Sequence, residues 1–192
     1  MTRFGFLFAV LLLIGCRSLP ERGVPAVAAP GREAALAAQA DWGFSGRVAY
    51  SRAGQGGSAR IDWRQVGSVS EVRLSGPLAS GSVRLRIENG QARVFDAGGA
   101  VVAEGDAESV LAQWLSAPLP AGDLVSGLRA YWPDSPERTA EALSGMTRVS
   151  GWDWRYDAWW PGPAALPKQV EIHGQGARVR LLIDQWQEGG GD

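Results

Sequence analysis

The chain has 192 residues, a formal net charge of -1, 26 glycines, 11 prolines and nine tryptophans, a length that suits one domain of roughly 150 residues with a processed or flexible end. Acidic and basic residues balance, so composition offers neither a nucleic-acid footprint nor a polybasic membrane patch. A single cysteine, Cys16, excludes an internal disulfide.

Residues 1–15 (MTRFGFLFAVLLLIG) carry Arg3 and then an uncharged run from Phe4. Arg17 and Pro20 interrupt it well before the roughly 20 apolar residues that a spanning helix needs. The segment therefore predicts a secretory signal, with a buried N-terminal helix as the alternative. Leu13-Ile14-Gly15-Cys16 matches the lipobox pattern, a small residue before a cysteine at the end of a short apolar region. That match implies diacylglyceryl transfer to the Cys16 sulfur, cleavage before it and acylation of the freed amine; a chance free thiol is the bland reading. Arg17 stands where an aspartate would retain an enterobacterial lipoprotein at the inner membrane, which favours outer-membrane sorting.

Residues 16–32 are rich in Pro, Gly and Ala without an apolar face and read as a lipidated tether with a reach on the order of 20 Å. A short helix is predicted from Glu33 to near Trp42. From Phe44 the pattern turns to period two. Ala59, Ile61 and Trp63 alternate with Arg60, Asp62 and Arg64, and Val83, Leu85 and Ile87 alternate with Arg84, Arg86 and Glu88. Turn residues at Gly54 to Gly57, Gly67-Ser68, Asn89-Gly90 and Gly98-Gly99 separate such runs, and Asn89-Gly90 is a strong hairpin signal. Six short strands in an antiparallel meander are expected between Phe44 and Gly105.

The period then shifts. Asp106 is a candidate N-cap for AESVLAQWL, and Asp123 for LVSGLRAYW, each with an apolar side. Strand character returns at Thr147 to Val149, Trp152 to Trp160, Lys168 to His173 and Ala177 to Trp186. The folded domain is expected over residues 33–187, with a disordered tail at 188–192. A sheet with one wet face must cover the other, and the two helices are the available cover. The resulting expectation is a mainly β fold with α, an incompletely closed antiparallel barrel wrapping lid helices around a hydrophobic cavity; a packed sandwich fits the alternation nearly as well.

Catalytic patterns are lacking. His173 is the only histidine, no nucleophile elbow precedes it, and the glycine pairs do not form a phosphate loop. Glu104 and Asp106 flank a turn and a helix start, where capping explains them. No metal or cofactor is called for, and a binding protein is the reading. Trp63, Trp114, Trp132 and Trp186 fall on dry strand or helix faces, so they suit a cavity wall or an ordinary core. Leu78 follows Gly76-Pro77 in a turn-rich link where polar residues are usual, as an inward plug or an exposed tip.

Taken together, the lipobox, FSGRVAY (44–50), GGSARIDWRQ (56–65), RLSGPLASGSVRL (73–85), LRAYW (128–132), GWDWRYDAWW (151–160), ALPKQVEI (165–172) and RVRLLIDQW (178–186) resemble the LolB family of outer-membrane lipoproteins. The resemblance covers essentially the whole mature chain. It implies a half-barrel with lid helices over a hydrophobic cavity, an acceptor that takes triacylated lipoproteins from a LolA-like periplasmic carrier, and delivery to the inner leaflet of the outer membrane without nucleotide. It places Pro77 and Leu78 on a membrane-insertion loop, with Ala79 in place of the family's usual Gly, and gives Pro133-Asp134 where many members have a Gly-Leu-Pro run. Candidate acyl-cavity residues are Ile61, Trp63, Leu85, Leu111, Trp114, Leu128, Trp132, Leu181 and Trp186. The protein is expected to act as a monomer, held to outer-membrane lipid by its acyl anchor. The rival is a structural or assembly lipoprotein that holds a protein partner along its sheet.

Overall fold

Alternating side chains build one antiparallel sheet in the computed structural model, which describes residues 31–76, 81–115 and 118–189. Six strands come first: β1 (Trp42–Arg52), β2 (Gln55–Val66), β3 (Val69–Gly76), β4 (Gly81–Glu88), β5 (Gln91–Phe95) and β6 (Val101–Asp106). They form the expected meander. Asn89 and Gly90 both take positive φ, 51° and 73°, the conformation a two-residue hairpin needs. Four more strands close the chain: β7 (Met146–Val149), β8 (Trp152–Trp159), β9 (Pro167–Gly174) and β10 (Ala177–Glu188).

All ten strands join in the order β6-β5-β4-β3-β2-β1-β10-β9-β8-β7. The first and last strands of the chain's sheet segments thus meet in the middle, where β1 pairs with β10, and β6 and β7 are left as edges that do not pair with each other. The barrel is open along that seam. Curvature has a local source: Ser45 pairs with Gln185 but Gly46 with Ile183, so β10 carries one extra residue, Asp184, as a bulge. A Cβ on Gly46 would meet the Leu182 carbonyl oxygen, so only glycine fits there.

Helices fill the concave side. α1 (Arg32–Ala38) stops earlier than expected, because Trp42 already pairs with both Gln65 and Glu188 as the first residue of β1. α2 (Ala107–Leu115) starts where the sequence predicts: Asp106 Oδ1 accepts bonds from the Ser109 N–H and hydroxyl, both at 3.0 Å. A 3-10 turn over Ala121–Asp123 leads into α3 (Leu124–Arg129). Asp123 makes no side-chain cap bond there. Ala130, in the left-handed region with φ 51°, ends α3, so Tyr131 and Trp132 lie beyond the helix that was expected to include them.

A fourth helix, α4 (Pro136–Leu143), was not expected. Its start has the proper chemistry, Ser135 followed by Pro136 in the first turn, but the eight residues show only a short apolar side. Thr139, almost wholly buried, anchors it by accepting a hydrogen bond from the Trp132 N–H at 2.9 Å.

The core lies between the sheet's inner face and α2 and α3. Phe44, Val48, Ile61, Trp63, Val72, Leu85 and Val94 point inward from the strands to meet Val110 and Leu111 of α2 and Leu124 and Leu128 of α3. Gly127 lets α3 lie flush on the sheet: a Cβ there would collide with the ring of Trp154, a side chain with no exposed surface. Tyr156 fixes the same spot by donating its hydroxyl to the Gly127 carbonyl at 2.8 Å. Gly127→Ala is therefore expected to destabilise the domain by about 1–3 kcal/mol through overpacking, read as a lower urea midpoint; an unchanged midpoint would show that α3 does not sit hard against Trp154.

Candidate functional site

Strand alternation turns one apolar row per strand inward, and the rows do not quite fill the space beneath α2 and α3. A void of about 60 Å³ remains, walled by fifteen residues, all apolar. From the sheet come Phe44, Val48, Ile61, Trp63, Val72, Leu74, Leu85, Ile87, Ile172, Val179 and Leu181; Leu111, Leu119, Leu124 and Leu128 close it from the helical side. Such a void has room for a few water molecules but offers them no polar partner. It is a wholly apolar pocket whose size depends on where α2 and α3 rest.

Six of the nine sequence candidates come together on this wall: Ile61, Trp63, Leu85, Leu111, Leu128 and Leu181. Trp114, Trp132 and Trp186 sit elsewhere. Trp114 is 38 % exposed on α2. Trp132, past the end of α3, packs edge-on against Trp154 with ring centroids 6.4 Å apart. Trp186 tilts against Trp42 and Phe44 at 5.7 and 5.3 Å, and its indole N–H donates to the Pro167 carbonyl at 2.8 Å. Trp132 and Trp186 pack against other aromatic rings and Trp114 against solvent, which an apolar face alone does not distinguish from the pocket wall.

Of the wall residues that sequence reasoning missed, Val72, Leu74, Ile172 and Val179 share inward parity with residues already identified: Ile61 pairs with Leu74 and Trp63 with Val72. Strand register would have found them. Leu119, between Pro118 and Pro120, carries no periodic signal. Cys16, Pro77 and Leu78 lie outside the described residues, as do the signal and nearly all of the tether.

The helical cover is held by two buried arginines that make no ion pair among the described residues. Arg32 of α1 donates through Nη2 to the Arg129 and Ala130 carbonyls, at 2.9 and 3.2 Å, at the end of α3. Arg129 of α3 returns the bond, donating to the Leu36 carbonyl at 2.6 Å and the Gln39 carbonyl at 3.3 Å at the end of α1. Each cation thus caps the other helix where the carbonyl dipoles favour positive charge. The cost is visible: Arg32 Nε and Nη1 find no acceptor among the described residues. Burial, reinforced by the nearby Arg129 charge, pulls the Arg32 pKa down to about 10. Arg129 also lies over the Trp42 ring at 5.4 Å, and Gln39, Trp42 and Arg129 border two wetter clefts of about 280 and 330 Å³.

His173 sits near the end of β9 and bonds Glu171 Oε2 at 3.1 Å. Arg178 adds two bonds to the same carboxylate at 2.9 and 3.0 Å. Burial pushes the Glu171 carboxyl up, and the bonds from His173 and Arg178 outweigh it, holding it below the usual glutamate range. This is an ion-pair group on the outer face of β9 and β10, behind the wall residues Ile172 and Val179 and turned away from the pocket. Among the described residues no group of His, Cys, Asp and Glu could hold a metal ion, and no helix is long and apolar enough to cross a membrane.

Comparison with known proteins gives concordant matches. Residues 40–186 match the family described as outer membrane lipoprotein LolB. An outer-membrane lipoprotein LolB of Xylella fastidiosa is 34% identical over 199 residues, 95% of this chain and 92% of that one. Its counterpart in Xanthomonas campestris pv. campestris is 34% identical over 205 residues, 91% and 90% of the two chains. Among solved structures, a LolA superfamily protein from Nitrosomonas europaea matches with TM-score 0.52 at 10% identity, covering 80% of this chain and 88% of that one. A DUF1329 family protein from Desulfovibrio piger matches with TM-score 0.53, also at 10% identity, over 84% and 90%. At that identity the structures speak for the fold alone.

Loss of the arginine exchange should loosen the cover. Arg129→Ala removes the charged donor from the Leu36 and Gln39 carbonyls, leaving Leu36 only the Gln39 N–H at 3.3 Å, and is expected to cost about 1–3 kcal/mol, with hydrogen exchange rising in α1 and α3 more than in β1 and β10. Uniform loss of protection across the domain would mean that Arg129 supports the whole core and not the cover.

Proposed function

This chain belongs to the LolB family of outer membrane lipoproteins, and from that premise we propose that it takes triacylated lipoproteins from a LolA-like periplasmic carrier and releases them into the inner leaflet of the outer membrane. The observation that carries this reading is the wholly apolar pocket beneath α2 and α3. Three acyl chains of roughly 15 methylenes each, at about 0.8 kcal/mol per CH2, would cost on the order of 35 kcal/mol to expose to water. A dry chamber removes most of that penalty. A somewhat better fit in the acceptor than in the carrier makes transfer spontaneous, and the bilayer is the deepest sink. No cofactor or covalent chemistry is needed.

At about 60 Å³ the pocket is far too small for its cargo, so loading moves the wall. The sheet rows are held by ladder hydrogen bonds, whereas α2 and α3 rest on side-chain contacts and the arginine caps. The helices are the part that yields. An unpaired seam between β6 and β7 lets the sheet flatten or widen without breaking a ladder.

Cys16 supplies the anchor in this reading, and residues 17–31 the slack that lets one domain meet both a carrier and the bilayer. Leu78 falls in the link between Gly76 and Gly81, the paired ends of β3 and β4, and is assigned to membrane contact during release. A version lacking Cys16 should still accept a labelled triacylated lipoprotein from loaded carrier; no transfer would favour the rival role of an assembly lipoprotein. Leu78→Glu should leave uptake within about twofold of wild type and slow insertion into liposomes by tenfold or more, since burying a charge in the acyl region is costly. Equal loss of both steps would place Leu78 in the fold and not at the membrane.

A further inference from the structure

Strand register concentrates at one end of the outer sheet face a charge that the near-neutral composition conceals. Arg47 of β1 lies directly across from Arg60 of β2, and Arg73 of β3 directly across from Arg84 of β4. Like charges set opposite one another work against an antiparallel pair; Arg86 of β4 and Arg93 of β5 are directly opposed as well, so what distinguishes the first two pairs is the supply of acids around them. The rows adjoin: Arg60 faces Ser75 and Arg73 faces Asp62 across β2 and β3. Asp62 is the only acid among those cross-strand neighbours.

Partners are sparse. Arg60 and Arg73 are exposed and make no ion pair among the described residues. Arg84 lies over the Phe95 ring at 4.6 Å, and Arg47 reaches Asp184 at 3.2 Å with both side chains more than half exposed. The other end of the same face provides an internal control. There Arg86 bridges Glu71 at 3.3 Å and Glu88 at 3.1 Å, and Arg93 binds Glu104 at 2.8 Å. At that end Arg64, Arg86 and Arg93 are balanced by Glu71, Glu88 and Glu104, whereas on the side nearer Gly76 and Gly81 four arginines face only Asp62 and Asp184 among the described residues.

We propose that Arg47, Arg60, Arg73 and Arg84 form a seat for the phosphates of anionic phospholipid, so that the domain meets the bilayer with this end of its sheet. The proposal rests on the reading that the protein works beside a membrane. The four groups stand on neighbouring strands about 4.8 Å apart, on the outer face of the sheet and away from the pocket and clefts described above. That arrangement suits a fluid layer of many anions and not one small ligand, and the guanidinium fork matches phosphate oxygens in pairs. The seat also decides orientation: it turns the Gly76 and Gly81 end of the β3–β4 pair toward the headgroups, and the neutralised end away from them.

The test uses the full acylated protein in vesicles of phosphatidylcholine, with or without phosphatidylglycerol. Cys16 is the only native cysteine and its sulfur is taken up by the anchor, so Ser58→Cys, beside Arg60, and Ser68→Cys, at the neutralised end, each accept one dye. Energy transfer to a headgroup-labelled lipid then reports which end approaches. The Ser58 position should gain transfer when phosphatidylglycerol is present, and the gain should fade with added salt. R60Q/R73Q should lower the docked fraction by about fivefold per arginine, whereas R86Q/R93Q should leave it unchanged.

An undiminished gain in R60Q/R73Q, or an equal gain at Ser68, would overturn the proposal. So would R60Q/R73Q that keeps its membrane approach but loses cargo uptake from loaded carrier, because the arginines would then face an acidic protein. Uptake is measured in the same samples. A wild-type protein that docks on anionic vesicles yet accepts no cargo would refute the acceptor reading and leave this surface standing.

Discussion

Leu111 of α2 and Leu124 and Leu128 of α3 meet the inward rows of the sheet across a contact that is dry throughout yet incompletely filled. Interiors normally close to crystal-like density, and each void forfeits dispersion contacts along its lining. Here the shortfall lies at the boundary between a rigid layer and a movable one. The ladders of β1, β2 and β10 provide the rigid layer, and short helices docked by side chains the movable one. The rest of the structure either holds that boundary shut or leaves room for it to open.

Holding it shut falls to a few specific contacts. Gly127 against Trp154, the Tyr156 hydroxyl on the Gly127 carbonyl, and the exchange between Arg32 and Arg129 all bear on α3. The arginine exchange is a costly fastening, since two buried cations face each other with no ion pair to a carboxylate among the described residues, and two nitrogens of Arg32 find no acceptor there. Buried charges lacking partners are penalised heavily in a low dielectric. Water entering on opening would repay part of that penalty, so the clasp is firm in the closed state and not prohibitive to undo. Room to open comes from the seam between β6 and β7 and from the bulge that curves β10 at Asp184.

Period-two alternation made the sheet legible: six strands in the first half, four in the second, and a hairpin at Asn89-Gly90. Six wall residues were legible for the same reason, each sitting on a clean alternating row or a helix face. The failures have physical causes. α4 is short, with a polar first turn and only Ala142 and Leu143 as its buried apolar side, α3 ends at a left-handed alanine that propensity does not anticipate, and Trp114, Trp132 and Trp186 are large apolar residues that lie off the pocket wall. The Arg32 and Arg129 exchange joins residues 97 positions apart, and local patterns cannot show such a contact. Nor could composition reveal the arginine group on the outer face, because a balanced total says nothing about which charges share a row.

The central claim is that acyl chains occupy the space between the inner sheet face and α2 and α3. A lipoprotein carrying a photoreactive diazirine near the end of one acyl chain, loaded from the carrier and irradiated, tests it most directly, with adducts located by mass spectrometry. The account predicts adducts on wall residues such as Ile61, Val72, Leu128 and Leu181. Adducts confined to the outer sheet face, or to the cleft bordered by Trp160 and Leu166, would contradict it.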